Sequence, residues 1–433
     1  MKFPYGTSDF NKIITKGYFY CDRTDRIETL EEAGDSILFL RPRRFGKSLL
    51  LSMLANYYDL AKADSFEKLF GHLHIGKNPT ELHNKYFILK FDFSCVKASG
   101  TAYDTERSLY DHINDCIIDF TVYYEYYLKR EVIINPDNAL SSIKSLITSI
   151  RKTDYPIYLL IDEYDNFANE VMMNTRDNKD NYEAIVHGDG ILKTLFKQIK
   201  SSASESLFDR TFITGVSPVV MSDITSGYNI AENIYFEPEF NDLCGFTEKE
   251  IKDVLTKIEE KCGFKKGKAE AAPEAALDMM REYYNGYSFD YEAHTKIYNP
   301  TLALYFLKRF YRRCKYPEEM LDSNLAVDEA KLEYISRIPG GNHLLLDLLK
   351  NDNQIFIDRL ENRFGIKRML EARTKDCTFM ASFLYYFGVL TMAGRNETGE
   401  LGLKTPNLVT QALYVNSIRE MLLPEPFKRD EGV

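Results

Sequence analysis

Gly46, Lys47 and Ser48 stand between a short apolar run, "SILFL" (36–40), and a helix-length segment, "SLLLSMLANYY" (48–58). That setting suits a phosphate-binding loop, in which successive backbone N–H groups point at a phosphate and the following helix offers its N-terminal dipole. Gly46 permits the close approach and positive φ that a side chain would obstruct. Lys47 can reach β- and γ-phosphates as a point charge, and the Ser48 hydroxyl can join a Mg2+ shell. The usual pattern begins with another glycine, and Arg41 occupies its place. Pro42 supplies some of the stiffness of that turn, while Arg41, Arg43 and Arg44 add positive charge that favours a polyanion. Arg41 is expected to shape the turn or to face the phosphates. The candidate nucleotide-binding residues are Arg41, Pro42, Arg43, Arg44, Phe45, Gly46, Lys47, Ser48 and Leu49. Taken alone, the same string also reads as a basic turn before a helix.

A second segment favours the phosphate reading. "YPIYLLIDEYDN" (155–166) is an apolar run with an abrupt acidic end. An aspartate at such a strand end holds the Mg2+ shell, and a glutamate directly after it orients the attacking water. Asp162 takes the metal role and Glu163 that of catalytic base, with Lys47 completing the catalytic pair. Away from Lys47, the same acidic pair would read as a solvated turn. Thr214, late in "TFITGVSP", is expected as a polar sensor of the γ-phosphate or attacking water. Ser217 is its alternative, and a buried hydroxyl bonded to backbone is the competing reading. Asp92, ending "FILKFDFS", is a weaker candidate for the same pocket. The sequence assigns no arginine finger: Arg210 is one option, and a residue from another subunit is the other.

These residues need a parallel sheet to hold them. Apolar runs at 36–40, 85–94, 155–166 and 210–219, with a fifth near 233–239, alternate with helical spacing at 105–120, 140–150 and 191–199. Such alternation predicts a sheet covered on both faces, with ligands beyond the carboxyl ends of its strands. Near 245 the pattern changes. Thr247 and Glu250 predict a capped helix. A small hairpin is expected over 285–300, then helix, and another hairpin around Asn396 to Gly399. The expected fold is an α/β P-loop NTPase with a mainly parallel sheet, followed by a mostly α half with winged-helix-like modules. The divisions read as 1–243 for the ATPase domain, 244–325 for a winged-helix-like lid, and 326–433 for a helical region with a second such module.

Composition narrows the partners. The 433 residues are 44% hydrophobic and 28% charged, as in globular proteins. No apolar run approaches a membrane span, and the first residues have no signal-peptide character, so a cytoplasmic protein is expected. The net charge of -10 argues against nonspecific nucleic-acid binding by the whole chain; the densest short Lys cluster, 263–272, reads first as a solvated linker, with a local basic face as the alternative that leaves DNA open. The seven cysteines are scattered without a C-x-x-C pair, and reduced thiols are expected.

"YFYCDRTDRI", "FLRPRRFGKSLLLSML", "FDFS", "LLIDEYDN", "FITGVSPV", "GFTEKEI", "YNGYSFD" and "IYNP" occur in that order. Over roughly residues 1 to 310 this set resembles the bacterial AAA-ATPase-like family, whose members commonly carry a PD-(D/E)xK nuclease-like domain at the C-terminus. The resemblance implies that Arg41 is a family variant, that Lys47 and Ser48 are the Walker A residues, and that Asp162 and Glu163 are the Walker B acids. It implies ATP and Mg2+ as ligands. It leaves open a homo-oligomer and a nuclease-like effector domain or protein partner. The Glu-x-Lys strings of this chain lie in helical patterns, and the chain stops where a nuclease-like domain would begin, so no nuclease activity is expected of these residues. The expected function is Mg2+-dependent ATP binding and hydrolysis coupled to a partner. The alternatives are a non-hydrolysing nucleotide switch or interaction module, and a DNA-associated regulator.

Overall fold

The computed structural model describes residues 1–97, 101–166, 191–203, 207–219, 221, 228–263, 273–321, 332, 335–336, 338–348, 354–362, 364 and 376–414. The chain divides into two units, one of residues 1–235 with 362–366 and one of 236–361 with 367–433.

The first unit is built on strands β1 (Ser36–Leu40), β2 (Phe87–Asp92), β3 (Ile157–Asp162), β4 (Phe208–Gly215) and β5 (Glu232–Asn233), in the order β2-β3-β4-β1-β5. Every neighbouring pair is parallel. Helices α1 (Phe10–Thr15), α2 (Ile27–Ala33), α3 (Lys47–Tyr58), α4 (Phe66–Phe70), α5 (Ala102–Tyr123), α6 (Ala139–Ile150) and α7 (Ile191–Ala203) accompany it. β1 and β3 are buried at every position, which is why their sequences are unbroken apolar runs instead of alternating ones. α3 likewise buries Leu50, Leu51, Met53, Leu54, Tyr57 and Tyr58. β4 lies between β1 and β3, so the loop after β1 and the acidic end of β3 flank the end of β4. With strands about 4.8 Å apart, those ends are about 10 Å from one another, within reach of two long side chains.

The second unit contains α8 (Glu248–Cys262), α9 (Pro273–Tyr284), α10 (Pro300–Arg313), α11 (Gly341–Asp347), β6 (Gln354–Ile357), α12 (Cys377–Tyr386), β7 (Thr391–Arg395) and β8 (Leu401–Lys404). The strands form an antiparallel sheet in the order β6-β8-β7. α8 starts with the expected capping box: Thr247 N donates to Glu250 Oε2 at 2.8 Å, and Glu250 N donates to Thr247 Oγ1 at 3.4 Å. α12 followed by the β7–β8 hairpin is the helix-then-hairpin plan expected of a winged-helix-like module. The hairpin expected over 285–300 is reduced to one isolated antiparallel bridge, Tyr287 with Ile297, and Tyr298 bridges instead to Phe246 ahead of α8. The basic stretch after Gly263, and the chain beyond residue 414, lie outside the described residues.

The cysteine expectation needs correction. Cys262, ending α8, and Cys314, capping α10, form a disulfide with Cα atoms 5.7 Å apart. α8 and α10 pack together and bring their C-terminal ends side by side, a proximity that a separation of 52 residues gives no sign of. Cys21, Cys95, Cys116, Cys244 and Cys377 lie outside this disulfide.

Candidate functional site

β1 ends at Leu40, and the chain needs six residues to turn into α3. Arg44 at φ 69° and Gly46 at φ 100° make that turn, both in the left-handed region. No atom lies within 4 Å of where a Gly46 Cβ would stand, so the glycine answers a conformational need and not a local clash. Gly46 is the N-cap of α3, and no side chain caps the first-turn N–H groups. Those donors are therefore available to an anion. Arg43 and Arg44 are exposed, while Pro42 and Phe45 are buried and anchor the loop to the core. Ser48 and Leu49 are half-buried.

Lys47 is only 4% exposed. Its ammonium donates to the carbonyls of Arg41 at 3.1 Å and Pro42 at 3.4 Å. It also stands 3.4 Å from Glu163 Oε1. The loop after β1 and the residue after β3 thus meet across the end of β4. Asp162 is 1% exposed, and burial raises its carboxyl pKa above the ordinary value. A hydrogen bond from Ser48 and the charge of Lys47 oppose that rise, while Asp92 adds to it. Asp92 is aligned with Asp162 in the β2–β3 register. Its Oδ1 accepts from Ser94 N at 3.1 Å and Ser94 Oγ at 2.6 Å. Glu163 has φ 50°, a conformation that is strained for a residue with a side chain and that recurs at functional sites.

Thr214 is 0% exposed, and its Oγ1 has no hydrogen-bond partner among the described residues. Ser217, its alternative, is engaged: its hydroxyl donates to Asp165 Oδ2 at 2.8 Å. Arg41 is turned away from a phosphate-facing role. Its side chain is 1% exposed, Nη1 donates to the carbonyls of Leu40 at 2.8 Å and Tyr235 at 2.9 Å, and the guanidinium lies 4.4 Å from the centre of the Phe39 ring. The reason is positional: the side chain leaves a buried strand end toward backbone carbonyls that need a donor. Arg210 also departs from expectation. It lies early in β4 and donates to the carbonyls of Gly34 at 3.3 Å and Glu31 at 3.1 Å. Along β4, the phosphate end is about 16 Å away, so Arg210 is not a finger within its own chain.

Sequence reasoning passed over Tyr164 and Asp165, which follow the acidic pair directly. Asp165 is 0% exposed. Its carboxylate accepts from Val216 N at 3.1 Å and Ser217 N at 2.8 Å. The signal available was a second aspartate in "LIDEYD", directly after a run that is otherwise apolar up to Ile161. A charged residue that close to a buried strand is held by specific donors or is not buried at all.

The oxygen donors Ser48 and Asp162 fit a hard cation such as Mg2+, which is commonly held by one or two carboxylates together with substrate phosphates. Among the described residues no cluster of three or more His, Cys, Asp or Glu could hold a metal without such help. The family model for predicted AAA-ATPases matches residues 4–225, which contain this whole arrangement. The chain belongs to the AAA-ATPase-like family. The match assigns it to the P-loop ATPases and ends well before residue 310, where the motif resemblance runs out.

A protein of Azotobacter chroococcum mcd 1, described as an uncharacterized protein in the vnfD 5' region, is 25% identical over 433 residues, covering 98% of this chain and 71% of that protein. Among solved structures, Cdc6p from Pyrobaculum aerophilum is 12% identical at a TM-score of 0.36, with 95% of this chain and 99% of that one covered. The Aeropyrum pernix Orc1 protein in complex with DNA is 12% identical at a TM-score of 0.31, with 94% of each chain covered. At such TM-scores neither likeness bears on function. No helix among the described residues is long and apolar enough to cross a membrane.

Proposed function

We propose that this AAA-ATPase-like chain binds ATP with Mg2+ beyond the carboxyl ends of β1, β4 and β3 and hydrolyses it. The observation that carries the reading is the convergence of Lys47 on Glu163 at 3.4 Å beside the Ser48–Asp162 hydrogen bond. On binding, the first-turn N–H groups of α3 take the phosphates, and Lys47 leaves Glu163 for the β- and γ-phosphate oxygens. Ser48 and Asp162 hold Mg2+, which neutralises phosphate charge when bound. Glu163, released from the lysine, accepts the proton of the water that attacks the γ-phosphorus. The bond to the bridging oxygen breaks, giving ADP and phosphate. Thr214 supplies the hydroxyl that senses the γ-phosphate or the water. ATP turnover should fall at least about 100-fold in both Lys47→Ala and Glu163→Gln, comparable to losing a main electrostatic contact. Wild-type turnover in both variants would remove these roles.

A second reading has an observation behind it. Arg210 is committed to carbonyls at the far end of β4, and an arginine finger is worth about 10³–10⁵ in rate. The isolated chain then works as a slow nucleotide switch whose turnover depends on a partner or a second copy. A thermal shift with ATP and Mg2+ without phosphate release would favour this reading. Residues 244–325 as a lid and 326–433 as a module that passes on the nucleotide state belong to the same proposal, as does a cytoplasmic setting.

A further inference from the structure

We infer that Asp165 is a positioning residue for the phosphate end of the site, fixing the turn after β4 and through it the place of Thr214 relative to Glu163. The inference rests on the ATPase reading above. The Asp165 carboxylate is wholly buried, and a buried charge persists only where donors satisfy it. Oδ1 accepts from Val216 N at 3.1 Å, and Oδ2 accepts from Ser217 N and Ser217 Oγ, both at 2.8 Å. Tyr164 adds bonds on either side: its N–H donates to Thr214 O at 3.2 Å and its hydroxyl to Ser217 O at 2.5 Å. Together these bonds close one clamp between the residues after β3 and those after β4.

Gly215 is what lets the clamp close. A Cβ there would stand 2.5 Å from Asp165 Oδ1 and 2.6 Å from the Tyr164 ring. Glu163 sits between the metal carboxylate and the clamp, in its strained conformation at φ 50°, and Asn166 N donates to its carbonyl at 2.9 Å. Strain of this kind survives only when surrounding bonds over-determine it, and the Tyr164 and Asp165 bonds do so. On the other flank, Arg41 N donates to Gly215 O at 3.2 Å, and Arg41 O accepts from Lys47 at 3.1 Å. The turn after β4 therefore touches both halves of the site. Ser217 is spent on holding it, whereas the Thr214 hydroxyl, at the strand end that the clamp fixes, has no hydrogen-bond partner among the described residues.

The test compares Asp165→Asn, Thr214→Val and the double variant, with Lys47→Ala as the control, reading ATP turnover and the affinity of a fluorescent ATP analogue with Mg2+. Asp165→Asn should lower kcat about tenfold or more while leaving affinity within about threefold, since misplacing a group by an ångström can cost as much as 100-fold in rate. Because Asp165 acts through Thr214, the double variant should turn over no more slowly than Thr214→Val alone. Additive losses would overturn the inference, as would unchanged kcat in Asp165→Asn. Should Asp165→Asn not fold, Tyr164→Phe and Ser217→Ala each remove a single clamp hydroxyl; both should lower kcat about threefold or more at unchanged melting temperature, and wild-type kcat in both would overturn it equally. Turnover retained in Lys47→Ala would sink the ATPase reading and this inference together. Turnover lost there but kept in Asp165→Asn would sink this inference alone.

Discussion

Asp162 keeps its carboxylate where ionisation is costly. Burial raises its pKa above 3.8, and the Ser48 hydrogen bond and the Lys47 charge recover only part of that. The folded chain therefore holds a proton on Asp162 at a pH where the unfolded chain has released it. Stability contributed by this group is present below the unfolded pKa and falls as pH rises through the raised one. Asp162→Asn should accordingly melt higher than the wild type at pH 7 without nucleotide, with the gap closing on acidification through the raised pKa. The same variant should lose the stabilisation given by ATP with Mg2+. Melting curves between pH 4 and 8 check both. That Lys47, Ser48, Asp162 and Glu163 come together could be read from the sequence because each motif sits at a strand end. Arg41 could be located but not understood, since Tyr235 O, which its guanidinium holds, is brought near only by folding. Asp165 was missed for the same reason: its donors, at 216 and 217, belong to another strand.

Elements follow the sequence closely where burial is two-sided. The run at 36–40 is β1, and the runs at 85–94, 155–166 and 210–219 contain or overlap β2, β3 and β4. Of the fifth run, 233–239, Asn233 alone falls in a strand: β5 is Glu232–Asn233, an exposed edge strand that among the described residues pairs with β1. Edge strands lack the second partner that makes apolar sequence diagnostic. The hairpin over 285–300 has turn residues and aromatics, but its arms pair at one bridge, Tyr287 with Ile297, because Asn241 and Thr391 side chains take the backbone N–H groups of Phe289 and Ser288 instead. At this scale Gly46 is the hinge between β1 and α3. Gly46→Ala forces a side chain into φ near 100° and should cost about 1–2 kcal/mol in stability, read by urea unfolding. It should also weaken ATP binding tenfold or more, because a Cβ intrudes where the loop meets phosphate.

For the molecule as a whole, the covalent tie between Cys262 and Cys314 belongs to the second unit alone. Under non-reducing conditions the denatured chain should present five reactive thiols, and seven after reduction, the two cysteines of the disulfide accounting for the difference. Reduction should lower the stability of the second unit by about 2–4 kcal/mol and leave ATP affinity unchanged, since the candidate nucleotide residues all lie in the first unit. Thiol titration and paired melts with and without reductant measure this.

Strand order has a temporal consequence. Of the five strands of this sheet β1 is made first, yet its hydrogen-bonding partners are β4 and β5: Ser36 pairs with Thr211 and Ile37 with Glu232. At a synthesis rate of about 5–20 residues per second, "SILFL" waits roughly 9–35 s for its first neighbour. During that wait a fully apolar strand exposes both edges and both faces, the state most open to aggregation and to chaperone capture. The strand that leads into the phosphate loop is thus the first of its sheet to be synthesised, yet it gains its first sheet partner only after β2 and β3 have been made.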